Sequence, residues 1–183
     1  MGWKSKIEAA VERTVGHIQV TPTLQVSGFG LNYPIELKLE HLQHTGSFKA
    51  RGAFNTLLSQ DVPAAGLVAA SGGNHGAAVG YAAHKLGHKA RIYVPEMAGP
   101  AKISLIKETG ADLQVVPGAY SNALELAQNY EAETGAMQVH AYDLSATLSG
   151  PSSAVAESQS RVLPSLHVIT AVACRMLWRV GNI

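Results

Sequence analysis

Along residues 1–15, Ile7, Val11 and Val15 fall four apart among charged neighbours, which predicts an amphipathic helix. Thr21-Pro22-Thr23 breaks that pattern. Ile35, Leu37 and Leu39 then alternate with Glu36, Lys38 and Glu40, the period of a half-exposed strand. After the turn-like His44-Thr45-Gly46, apolar residues at 50, 53, 54, 57 and 58 predict a helix with Ser47 as its N-cap. Residues 67–70 read as a short apolar strand, SGGNHG as a turn, and 77–86 as a helix closed by Gly87. A strand at 89–94, a helix at 100–109 opened by Pro100, a strand at 112–116, a helix at 121–134 and a strand at 137–141 follow. Such alternation with short connections predicts an α/β fold, a parallel sheet covered on both faces.

At 183 residues the chain has room for one ordinary domain, or a domain with an incomplete neighbour. With 46% hydrophobic and 15% charged residues it has the composition of a folded globule. The 14 basic and 13 acidic residues leave a net charge of +1, which argues against a broad surface for nucleic acid or anionic lipid. Cys174, the one cysteine, excludes an intrachain disulfide and a cysteine-based zinc cluster. Charges at Lys4, Lys6 and Glu8 stand where a signal peptide needs an apolar run, and Lys6 where myristoylation needs Ser or Thr. Pro164, His167, Arg175 and Arg179 interrupt the apolar stretch near the end, so no membrane span is expected. A cytoplasmic protein is the expectation. Residues 151–183 differ in character, with Glu157 as their one acidic residue beside three arginines and five serines. No strand–turn–helix unit is legible there.

Two segments could carry chemistry. HTGSFKARGA puts Lys49 in the first turn of a helix, where the positive end of the helix dipole disfavours an ammonium and makes a nucleophilic amine easier to obtain. A plain surface lysine, as Lys4 and Lys102 are expected to be, is the competing reading of that position alone. Ser71-Gly72-Gly73-Asn74-His75-Gly76 lies between a strand and a helix, at the carboxyl end of a parallel strand where ligands sit. Its glycines allow close approach to backbone N–H groups that bind anions, although a tight turn of small residues would look the same. It is neither G-x-G-x-x-G nor a Walker loop. The pairs His84/His88 and His41/His44 lack a third ligand nearby, so no metal site is expected. Arg51 reads as a helix-surface or interface charge, and Tyr120 and Tyr130 as packing residues.

Together, S-F-K-A-R-G-A and, 22 residues after the lysine, S-G-G-N-H-G resemble the fold-type II pyridoxal-phosphate enzymes, within them the threonine/serine dehydratase branch that includes serine racemase. The E-L-K-L-E-H-L-Q-H-T-G-S-F-K run is typical of dehydratases, and the Ser-Val-Lys-Asp-Arg pattern of the cysteine synthase branch is missing. The resemblance runs from about Thr21 to Gly150. It implies a three-layer α/β sandwich like that of the tryptophan synthase β chain, with pyridoxal 5′-phosphate as cofactor. By that resemblance Lys49 would hold the cofactor as a Schiff base and shuttle the substrate α-proton. Phe48 would pack beside the pyridine ring, and Asn74 would hydrogen-bond its 3′-oxygen. Ser71, Gly72, Asn74 and His75 would grip the substrate carboxylate. Threonine or serine would then pass through an aminoacrylate to 2-oxobutanoate or pyruvate and ammonia. Serine racemases carry a second serine where this chain has Gly72, which has no proton to give; elimination is therefore expected over racemisation.

The chain also departs from the family. The glycine-rich loop that cradles the cofactor phosphate is expected roughly thirty residues after Gly150, and no Gly-Gly-Gly run occurs there. A downstream Ser or Cys for the pyridine nitrogen and the large-domain metal ligands are missing too. The motif match ends at Pro151, so residues after about 150 are expected to be a truncated, frame-shifted or otherwise aberrant end. On this division 1–48 is a fragment of the large domain, 49–145 a complete small domain, and 146–183 an anomalous segment. The alternatives are an inactive fragment that at most binds a partner, a β-replacement enzyme, or a serine racemase. Intact members of the family commonly form homodimers.

Overall fold

The computed structural model describes residues 2–27, 30, 34–141, 145–159 and 168–169. In chain order it has α1 (Trp3–Thr14), β1 (Thr23–Val26), β2 (Ile35–Lys38), α2 (Lys49–Leu58), β3 (Leu67–Ala70), α3 (Asn74–Leu86) and β4 (Ala90–Pro95). Then come α4 (Pro100–Lys107), β5 (Asp112–Val116), α5 (Tyr120–Thr134), β6 (Met137–Gln138), α6 (Ser145–Gln159) and β7 (Val168–Ile169). The fold is α/β. Short 3-10 turns at Glu40–Leu42 and His44–Gly46 lead into α2.

The main sheet has the order β5-β4-β3-β6, and every neighbouring pair in it is parallel. Its central strand is buried on both faces, as the unbroken apolar run of β3 requires. Leu67 and Ala69 point into one core, with Phe54 and Leu57 of α2, Val79 and Ala82 of α3, and Ile106 of α4. Val68 and Ala70 point into another, with Ala123 and Ala127 of α5. The sheet is thus sandwiched between helical layers. Helix α3 lies close against the sheet because Gly76 has no side chain: a Cβ there would stand 2.9 Å from Ile92 Cγ2. Gly87 ends this helix in the left-handed conformation, with the His88 N–H returning to Ala83 O at 2.9 Å.

A smaller sheet pairs β1 with β2 antiparallel and β2 with β7 parallel. Strand β2 departs from the half-exposed expectation, because Glu36 and Lys38, at 7% and 1% exposure, are buried along with Ile35. Lys38 reaches Glu157 of α6, Nζ to Oε1 at 2.6 Å. Arg51 of α2 is likewise no surface charge; it is wholly buried. Glu40 receives hydrogen bonds from Arg51 Nε and Nη2, each 2.8 Å, and Glu157 takes Nη1 at 2.9 Å. These two carboxylates hold the guanidinium charged: burial works against the charge, and they outweigh it, raising its pKa.

Glu157 gives residues 151–159 a place that their composition did not reveal. They complete α6, a helix with Pro151 inside it, packed on α1 and α2. The approach is set by glycines, since a Cβ on Gly150 would stand 2.6 Å from both Arg51 O and Gly52 Cα. Asn55 of α2 donates to Ala146 O (2.7 Å) and to Ser149 Oγ (3.1 Å) across the same contact.

Element boundaries also differ: helix α3 starts at Asn74 rather than 77, α4 ends at Lys107 rather than 109, and β6 spans two residues rather than five; β1 had no sequence signal. Ser47 is not the cap of α2: its Oγ is buried without a hydrogen-bond partner among the described residues, and Phe48 holds the N-cap position. Among the described residues no helix is long and apolar enough to cross a membrane, and no His/Cys/Asp/Glu group could hold a metal.

Candidate active site

The order of the main sheet creates the site. From β3 the chain steps through α3 and α4 to β5 at the edge, then returns through α5 to place β6 on the other side of β3. Connections that leave β3 and arrive at β6 in opposite directions open a crevice at the carboxyl ends of these strands. A cavity of about 660 Å³ lies there, lined by Phe48, Lys49, 71–75, Lys102, Tyr120 and Ala141, among others. That volume is within the ligand-pocket range of roughly 300–1,000 Å³. A second cleft of about 410 Å³ lies where β3, β4 and β5 begin, beside His84, His88 and Arg91. It contains none of the predicted site residues.

Lys49 enters the crevice from the first turn of α2. Its Nζ donates to Ala141 O at 3.2 Å and lies 5.2 Å from the centre of the Phe48 ring. Partial burial lowers its pKa, because desolvation penalises the ammonium form. Opposite it, the segment between β3 and α3 is organised by Ser71. The Ser71 hydroxyl oxygen accepts the Gly73 N–H at 3.1 Å and the Gly76 N–H at 2.8 Å. Ser71 therefore shapes the loop and has little hydrogen-bonding capacity left for a ligand.

His75 ties the loop to the neighbouring strand, with Nε2 2.9 Å from Val139 O. A carbonyl can only accept, so Nε2 carries the proton. Burial lowers the His75 pKa to about 4, Lys49 and His140 add to the effect, and the Val139 bond opposes it. The imidazole is neutral at pH 7. Gly72 leaves open space: a Cβ there would meet no described atom within 4 Å. Asn74, the first residue of α3, also lines the cavity.

All six predicted residues, Phe48, Lys49, Ser71, Gly72, Asn74 and His75, thus meet in one cavity. The sequence reading missed two others. Tyr120 lines the cavity and is 46% exposed, rather than packed away, and Lys102 lines it rather than an unrelated surface. The signal for Lys102 was available: α4 starts beyond the carboxyl end of β4, on the same rim of the sheet as 71–75. The residues present fit the aldehyde-bearing ring of pyridoxal phosphate. They offer an amine whose pKa is lowered, an aromatic neighbour and a loop left open at Gly72. The stretch where a phosphate cradle was expected, and Cys174, lie outside the described residues.

Comparison with known proteins gives the same family. The family described as "Pyridoxal-phosphate dependent enzyme" matches residues 15–174, which carries the likeness well beyond Pro151, where the motif match ended. L-threonine ammonia-lyase of Geobacter sulfurreducens is 33% identical over 141 residues, covering 75% of this chain and 35% of the relative. The structure of maize serine racemase superposes with a TM-score of 0.82 at 28% identity, over 86% of this chain and 49% of that one. The crystal structure of T.th. threonine deaminase gives 0.78 at 35% identity, over 85% and 50%. The chain spans about half or less of the length of these proteins. With the family match running over most of its length, the chain belongs to the pyridoxal-phosphate dependent enzyme family.

Proposed function

We propose that the chain carries the lysine side of an ammonia-lyase site, acting on L-threonine or L-serine to release ammonia and 2-oxobutanoate or pyruvate. The observation that carries this reading is the position of Lys49, an amine with a lowered pKa facing the 71–75 loop across one cavity. Pyridoxal phosphate, when bound, supplies electron withdrawal from the substrate Cα, which lets a modest base take its proton. Lys49 is the residue that would hold the cofactor and then carry that proton. Phe48 would flank the cofactor ring and Asn74 would bind its oxygen substituent. The loop from Ser71 to His75 receives the substrate carboxylate on groups that are uncharged at pH 7. Gly72 favours elimination over racemisation, because glycine has no side-chain proton to deliver where serine racemases carry a second serine.

Cofactor titration with borohydride trapping tests the reading. Pyridoxal phosphate is added to the purified chain, the visible absorption band is followed, and the reduced product is mapped by peptide mass. Near-stoichiometric label on Lys49, lost in Lys49→Ala, is the expected result. Label scattered over exposed lysines such as Lys4 would overturn it. A homodimer in the cytoplasm belongs to the same proposal, and the mass of the loaded chain in solution checks the dimer.

A further inference from the structure

The loop that receives the carboxylate in this reading has no charge of its own. Ser71 spends its hydroxyl on the loop's own amides, and His75 is neutral and points its N–H at Val139 O. Positive charge along the cavity comes, among the described residues, from Lys49 and Lys102. The cofactor would occupy Lys49. Lys102 remains.

Its placement is specific. Lys102 stands in the first turn of α4, and its stem lies along the loop. The Cδ, Cε and Cγ atoms are 3.1, 3.6 and 3.7 Å from where a Cβ on Gly73 would be. Glycine at 73 thus makes the room that this stem fills. Among the described residues the Lys102 ammonium has no hydrogen bond or ion pair. A carboxylate entering the loop would meet neutral donors and one uncommitted cation. Charge-assisted bonds are roughly twice as strong as neutral ones.

We propose that Lys102 is a substrate-binding residue, the counter-ion of the substrate α-carboxylate above the 71–75 loop. The proposal rests on the functional reading above. It extends the grip from the loop to a residue on the next helix, and selects substrates with a free carboxylate.

Calorimetric titration of the cofactor-loaded chain with L-serine and with L-serinamide, which lacks the carboxylate, tests it. Lys102→Gln is expected to weaken L-serine by about tenfold, the size of one charge-assisted hydrogen bond. L-serinamide affinity should stay unchanged, and Lys102→Arg should keep most of the L-serine affinity. Borohydride labelling of Lys49 should proceed equally in all variants. Equal losses for both ligands would mark a structural effect and overturn the proposal, as would no loss for L-serine. A wild-type chain that takes no label on Lys49 removes the functional reading, and this inference with it. Normal labelling with L-serine affinity unmoved by Lys102→Gln removes this inference alone.

Discussion

Helix α2 carries two cations two residues apart in opposite surroundings. Arg51, itself wholly buried, faces a network in which Glu40 and the partly buried Glu157 neutralise it and Lys38 shares the second carboxylate. Lys49 faces up into the crevice, where the backbone carbonyl of Ala141 accepts from it. Burial acts on both. Carboxylate partners keep the first charged, while desolvation pulls the second toward its neutral form. A buried cation matched by carboxylates becomes part of the scaffold, whereas one pulled toward neutrality at the wall of a cavity is available for chemistry.

The harshest way to break this comparison is Arg51→Ala. It strands Glu40 in the interior without a cation and leaves Glu157 to Lys38 alone, and breaking a buried pair costs about 3–5 kcal/mol. Denaturant melts should show that loss, with Arg51→Lys recovering part of it.

His75 gives the next largest effect, because its pKa of about 4 lies below the ordinary 6.5. The unfolded chain then binds the proton that the folded chain refuses. Stability is complete above pH 6.5 and falls as pH drops toward 4, by roughly 3 kcal/mol in all. Melts across that range should lose this slope in His75→Gln.

Gly150→Ala tests the geometry under the network. The new methyl group would wedge α6 from α2 at backbone atoms that cannot rotate away, at a cost of about 1–3 kcal/mol. A drop in melting temperature with Lys49 labelling retained is expected.

The mildest effect sharpens the upper half of the comparison. Because the pKa of Lys49 is lowered, its neutral fraction rises at lower pH than that of an ordinary lysine near 10.4. Labelling rates by peptide mapping should therefore rise earlier for Lys49 than for exposed lysines, as pH is increased.

How far these features were legible depends on how far apart their partners lie. The strands and helices from 67 to 134 follow from local signals: the apolar run of β3, Pro100 opening α4, Gly87 closing α3. The two motifs were readable for the same reason, since each is continuous in the chain. Burial of Lys38 was not readable, because its partner Glu157 is 119 residues away. Pro151 and the surrounding serines hid α6, whose stability comes from close packing on Gly52 and from Glu157 rather than from helix propensity. Ser47 misled as a cap, because its hydroxyl is buried away from the amides that it could have served. Tyr120 needed the sheet order before its position meant anything, whereas Lys102, on the helix that follows β4, could have been placed on the rim from the strand–helix alternation alone.

The stitching of the 71–76 segment by the Ser71 hydroxyl also bears on the entropy of binding. A glycine-rich loop left free would have to be ordered by each incoming ligand, at roughly 1–2 kcal/mol for each residue fixed. Here the Gly73 and Gly76 amides are already held, so that ordering belongs to folding. Ligand association should then show little conformational penalty. Loosening the stitch, as in Ser71→Ala, would appear first as an entropic loss, with the contacts in the bound state left largely intact.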